Sequence, residues 1–118
     1  MSTTRTIKNE PLAGTDLFKP IKLGPYELKH RVVLAPLTRM RNVSNVPTEQ
    51  MIKYYDQRSS REGTFIITEG TFISKAAGGY DTAPGIYNKE QIEKWKPIFD
   101  VIHKNKSIVF QQLWELGR

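Results

Sequence analysis

The sequence predicts an α/β fold, the opening of a larger parallel architecture. Three apolar runs carry that prediction: 32–37 (VVLAPL), 65–68 (FIIT) and 108–110 (IVF), each ending in polar or glycine residues. The segments between them read as helices, so the order is strand, helix, strand, helix, strand. Parallel strands joined by helical crossovers are covered on both faces or closed into a barrel, and three strands cannot close one. The 118 residues are therefore expected to form an incomplete α/β unit.

Composition sets the outer bounds. Hydrophobic residues make up 38% and charged residues 25%, a globular balance. The absence of cysteine removes disulfides, thiolate nucleophiles and cysteine-based zinc sites, and it fits a reducing, cytoplasmic setting. No apolar stretch approaches the roughly 20 residues needed to span a bilayer. Residues 1–16 lack a signal-peptide core and read as a flexible N-terminal arm, with the folded portion expected over 17–118. The net charge of +6 raises nucleic acid as a partner. The basic residues are scattered among acids, however, with no one-sided stripe and no aromatics interleaved with arginines, so no nucleic-acid role is expected.

Taken in order, residues 17–28 read as a small antiparallel hairpin, with Gly24-Pro25 as its turn. The run 31–37 is apolar without alternation, as in a strand buried on both sides. Thr48 is the expected N-cap of the first helix and Glu49 suits its positive pole. Met51, Ile52 and Tyr55 give that helix an apolar face, with Arg58 and Arg61 in its last turn. A long loop over 74–87 follows the second strand, and its length points to function rather than mere connection. Asn88 and Gln91 have capping-box spacing. The second helix is expected to bury Ile92, Trp95, Phe99 and Ile102, and Pro97 to kink or split it. Asn105 is expected to take the left-handed turn at its end.

In parallel α/β proteins, sites form where the strands end. Those ends carry Thr38, the pair Glu69-Gly70, and Gln112 with Trp114. A hydroxyl, a glycine, a carboxamide and an indole suit a planar ligand with a polar edge, since a carboxamide donates and accepts side by side. Each residue also has a plain structural role: Thr38 as a turn residue, Gly70 as a bend, Trp114 as core. Glu69 has the chemistry of a general base, with pairing to a nearby arginine the preferred reading. No metal-ligand cluster is expected.

In combination the motifs resemble a known family. The stretch LFKPI at 17–21, LKHR at 28–31 and APLTRMR at 35–41 come first. Tyr54-Tyr55 with Gln57-Arg58, GTFIITEG at 63–70 and AGGY at 77–80 follow. APGIY at 83–87 and QLW at 112–114, with LGR at 116–118, complete the series. Together they are similar to the N-terminal part of the old yellow enzymes, fungal NADPH dehydrogenases and FMN-dependent ene-reductases. The resemblance runs over roughly residues 17–118.

That resemblance implies a (β/α)8 TIM-type barrel that binds FMN without a covalent link. NADPH would be the reductant and an enone-like small molecule the substrate, with hydride passing through the flavin to an activated alkene. Pro36, Leu37 and Thr38 would lie against the isoalloxazine, with Thr38 near the flavin O4. Gly70 would let backbone approach the ring, Gln112 would bond the pyrimidine edge, and Trp114 would line the substrate side. The family's substrate-holding pair, His/Asn or His/His, and its tyrosine donor belong to later strands, so no catalytic residue is assigned here. A barrel needs about 250 residues. The chain is thus expected to be a truncated form comprising the floor hairpin, three strands and two helices, inactive alone and completed by another chain or a homo-oligomer. The alternative is a non-catalytic truncated paralogue serving as an interaction module.

Overall fold

The computed structural model describes residues 12–117, so most of the arm expected over 1–16 lies outside the described residues. Two 3-10 turns, Leu12–Gly14 and Asp16–Phe18, lead into strand β1 (Ile21–Leu23) and strand β2 (Tyr26–Leu28). These pair antiparallel, with Ile21 opposite Leu28 and Leu23 opposite Tyr26. Gly24 begins the two-residue turn at φ +56°, a left-handed value that a side chain would strain, and Pro25 fixes the next φ.

The main unit follows as β3 (Val33–Leu34), α1 (Glu49–Ser59), β4 (Phe65–Ile67), β5 (Thr71–Phe72), α2 (Lys89–Lys104), β6 (Ile108–Phe110) and β7 (Leu113–Trp114). Strands β3, β4 and β6 form one parallel sheet in that order, with Val33 beside Phe65 and Phe65 beside Ile108. This is the expected strand–helix–strand–helix–strand order. Sequence reading missed β5 and β7, a second parallel pair matching Thr71 with Leu113 and Phe72 with Trp114. Two-residue strands carry no periodicity, and here backbone pairing rather than side-chain alternation creates them.

The core lies between the sheet and the helices. Met51 and Tyr55 of α1, Ile66 of β4, and Trp95, Ile98 and Ile102 of α2 are all buried there, with Leu34 and Val109 packed at its margin. Each such side chain contributes about 1.5–3 kcal/mol on burial. The inward stripe of α2 is Gln91, Trp95, Ile98 and Ile102, not the expected set, and Ile92 is 53% exposed. Ile92 follows Gln91 by one position, about 100° around the helix, so only one of the two can face inward. Gln91 takes the place because its polar end is used: its Oε1 accepts the Tyr87 N–H at 2.9 Å. Asn88 Oδ1 in turn accepts the Gln91 N–H at 2.9 Å, so the cap forms as expected.

Other local expectations are corrected. Helix α2 runs unbroken through Pro97, which is exposed, so the hydrogen bond it removes lies on the solvent side. Asn105 has φ −79°, and Lys106 takes the left-handed turn at φ +55°. The Asn105 side chain instead ties α2 to α1, donating to Asp56 Oδ1 and Ser59 Oγ, both at 2.8 Å. Thr48 holds the N-cap position, but its hydroxyl donates to the Arg41 carbonyl (2.7 Å) rather than capping the helix. Arg61 lies beyond the last turn of α1.

The run at 32–37 is not buried on both sides. Val33 is 42% exposed, because the helices cover one face of the sheet while, among the described residues, the hairpin packs loosely on the other. Between them, Val33 and Phe65 share a cavity of about 290 Å³ with Ile21, Leu23 and Leu28. Tyr26 also reaches Phe110 edge-on at 6.0 Å, which seats the hairpin beneath the strands. His30 fixes the hairpin's exit. Its Nδ1 accepts the Val32 N–H at 3.2 Å, so Nε2 carries the proton and donates to Thr64 Oγ1 at 3.0 Å. Thr64 passes the chain on to the Arg61 carbonyl at 2.7 Å.

Candidate functional site

Backbone and side-chain hydrogen bonds draw the carboxyl ends of β3, β4 and β6 to one edge. The Thr68 N–H donates to the Phe110 carbonyl at 2.9 Å, and the Gln112 N–H donates to Thr68 Oγ1 at 3.2 Å. The Thr71 N–H returns to the Gln112 carbonyl at 2.9 Å. From β3, the Arg39 N–H donates to Glu69 Oε2 at 3.3 Å and brings the residue after Thr38 onto the end of β4. Thr38, Gly70 and Gln112 thus lie along one edge, although they stand 32 or more positions apart in sequence.

Leu37, Thr38 and Gln112 are exposed along this edge and Pro36 is half-buried. Among the described residues the Thr38 hydroxyl and the Gln112 carboxamide have no side-chain hydrogen bond, so both are free to meet a ligand. Gly70 is buried, and a Cβ there would stand 2.7 Å from Cε3 of Trp114. In this structure the missing side chain makes room for the indole. Trp114 is itself half-buried, stacked on Phe72 at 4.9 Å and on Tyr80 at 6.0 Å with interplanar angles of 23° and 24°. The aromatic wall and the polar edge meet at Gly70.

Glu69 lies behind the edge, 1% exposed. Burial pushes its carboxyl above the usual range, and the Arg39 N–H and the Tyr55 hydroxyl pull the other way. Its own backbone N–H donates to the Tyr55 hydroxyl at 3.0 Å, and burial pushes that phenol up as well. The arginine contact expected for Glu69 is therefore a main-chain one; among the described residues no guanidinium pairs with it. Glu69 Oε1 has no hydrogen-bond partner among the described residues. The residue borders a cavity of about 190 Å³ with Arg39, Arg41, Gln50 and Tyr54.

The loop between β3 and α1 supplies residues that sequence reading did not single out. Asn42 donates twice to the Thr82 carbonyl, from its backbone N–H at 3.1 Å and from Nδ2 at 2.9 Å. Asn45 grips the segment 80–85 through several main-chain groups. Nothing in the local pattern RNVSNVP distinguishes these asparagines from ordinary turn residues. Among the described residues no group of three or more His, Asp or Glu side chains could hold a metal ion, and no helix is long and apolar enough to cross a membrane.

The three parallel strands with helical crossovers, and polar groups gathered at their carboxyl ends, have the layout of part of a β/α barrel. The chain belongs to the NADH:flavin oxidoreductase / NADH oxidase family, whose model matches residues 16–118. It is 57% identical over 112 residues to enoate reductase 1 of Kluyveromyces lactis, covering 92% of this chain and 28% of that protein. With 12-oxophytodienoate reductase 1 of Oryza sativa subsp. japonica it shares 50% identity over 106 residues, 90% of this chain and 28% of the relative. Among solved structures, the old yellow enzyme from Pichia sp. AKU4542 superposes with a TM-score of 0.87 at 49% identity, covering 91% of this chain and 28% of that one. The chain thus spans a little over a quarter of the length of these relatives, and its fold is that part of the old yellow enzyme barrel.

Proposed function

We propose that the chain supplies the first strands and the flavin edge of an FMN-dependent oxidoreductase of old yellow enzyme type. The observation that carries this reading is the meeting of Thr38, Gly70 and Gln112 at one strand-end edge in a member of a flavin oxidoreductase family. The donor set suits FMN: the exposed Thr38 hydroxyl and Gln112 carboxamide match a carbonyl and an imide edge, and Pro36 and Leu37 offer apolar contact to a ring. When bound, FMN supplies hydride transfer between a nicotinamide and an activated alkene. The part of this chain is to orient the ring. Thr38 would donate to a flavin carbonyl, Gln112 would hold the pyrimidine edge, and Trp114 would shape the space beside them. NADPH as reductant and an enone-like substrate complete the reading.

For the 118 residues by themselves the reading is no turnover. The remaining strands of the barrel, which lie outside these residues, would be needed for turnover. The exposure of Val33, Phe110 and Leu113 also supports a second reading, a non-catalytic interaction module that buries this face on a partner.

The test is a chimera in which residues 16–118 replace the matching segment of Kluyveromyces lactis enoate reductase 1. The expected result is a yellow protein that keeps FMN through desalting, with Thr38→Ala or Gln112→Ala weakening retention about tenfold. A folded but colourless chimera would sink the flavin reading. The isolated chain, incubated with FMN and desalted, is expected to emerge colourless. A retained flavin band there would overturn the need for completion.

A further inference from the structure

The loop 74–87 is the longest stretch at the strand ends, and its length alone would suit a lid. Its bonding does not. We propose that Asn45 is a positioning residue that makes this loop a fixed wall of the candidate pocket and sets Tyr80 against Trp114. The inference rests on the flavin-pocket reading only for what the wall borders.

Asn45 has φ +61°, a left-handed conformation that asparagine tolerates better than most residues. Its Nδ2 donates to the Tyr80 carbonyl at 2.8 Å and to the Ala83 carbonyl at 2.7 Å. Its backbone N–H donates to the Asp81 carbonyl at 2.8 Å, and its own carbonyl accepts the Gly85 N–H at 2.8 Å. One residue therefore holds four points of a six-residue segment. Two carbonyls facing the amide fix its orientation, because an oxygen turned toward them would repel. The Tyr87 hydroxyl then reaches Asn45 Oδ1 at 3.4 Å from the far end of the loop.

The consequence lies at Tyr80. With its carbonyl pinned by Asn45, its ring stacks on Trp114 at 6.0 Å, and Trp114 stacks in turn on Phe72. The space beside Trp114 is therefore decided by Asn45, on a different loop and more than 30 positions away in sequence. A flat, conjugated substrate enters against a wall whose place is set before it arrives, so Asn45 governs which widths are accepted.

Hydrogen exchange by mass spectrometry on the 118-residue chain tests this, read beside the Trp114 indole N–H resonance. In the wild type, the Ala83 and Gly85 amides, which donate to the Tyr80 and Asn45 carbonyls, are expected to exchange far more slowly than those of an open loop. Asn45→Gly keeps the backbone conformation and removes the side-chain bonds. Asn45→Asp keeps the shape but points an oxygen at two carbonyls. Both are expected to speed exchange at Ala83 and Gly85 by about 10- to 100-fold and to move the Trp114 resonance, with α2 still protected. Should Asn45→Asp fail to fold, Asn45→Gly decides. Open-loop exchange in the wild type, or wild-type exchange in Asn45→Gly, overturns the proposal. The readout involves no flavin, so failure of the wall and failure of the flavin reading are separate results.

Discussion

The two faces of the β3-β4-β6 sheet are built from the same kinds of residue and end in opposite states. Toward α1 and α2, Ile66 is fully buried, and Leu34 and Val109 close the margin of a continuous core. On the reverse face Val33 and Phe65 meet the hairpin across a cavity of about 290 Å³, and Phe110 touches Tyr26 edge-on and stays 48% exposed. Successive residues of a strand point to opposite sides, so neighbours of equal hydrophobicity take different environments. Helices that are local in sequence complete one face, because each crossover folds back on the strands it joins. The other face has no helix local in sequence to cover it, and the hairpin packs there instead.

The comparison predicts unequal costs for similar substitutions. Trp95→Ala is expected to destabilise the chain by about 3–5 kcal/mol, since the ring is buried and its Nε1 donates to the Gly85 carbonyl at 3.0 Å. Val33→Ala should cost less than about 1 kcal/mol, because half of that side chain is already in water. Urea unfolding of both variants measures the contrast, and equal losses would break it. Gly70→Ala comes next, at about 1–3 kcal/mol, since the new Cβ would press on Trp114 at 2.7 Å. A shifted indole signal with little change in α2 protection would show that the strain stays at the strand ends.

Two titrations sharpen the comparison at its borders. His30 is buried neutral, its pKa lowered from 6.5 by burial first and by nearby Arg61 second. The unfolded chain therefore binds the extra proton more readily, and stability is expected to fall as pH drops below about 6.5. His30→Gln should flatten that slope in thermal melts recorded from pH 7.5 to 5. Glu69 works in the opposite direction. Its carboxyl is raised by burial, so the advantage of the neutral form is complete below 4.5 and is lost as pH rises through the folded value. Glu69→Gln is expected to stabilise the chain at pH 7 and to lose that advantage at pH 4. A destabilised variant at pH 7 would show that the ionised form is the one the fold holds.

Much of the architecture was legible before any coordinates. Apolar runs mark β3, β4 and β6, Gly24-Pro25 marks the hairpin turn, and Asn88 with Gln91 marks the start of α2. The inward stripe of α2 was misread at Ile92 because hydrophobicity ranked it above Gln91, whereas a carboxamide satisfied by the Tyr87 N–H packs inward without penalty. The strands β5 and β7 gave no signal, since two residues show no period. At the strand ends Thr38, Gly70 and Gln112 were named from position, whereas Asn45 and His30 were not, because their side chains bond partners 34 to 42 positions away.

The sequence by itself determined the parallel order of strands and helices, the apolar content of the core and the family to which the chain belongs. Those follow from local periodicity, turn chemistry and motif order, which neighbouring residues carry among themselves. Only the tertiary structure decided which face of the sheet closed, that Glu69 meets Arg39 through the main chain, and that Trp114 fills the space over Gly70. These depend on which backbone groups and rings meet across long separations, and the packing of the whole chain sets that.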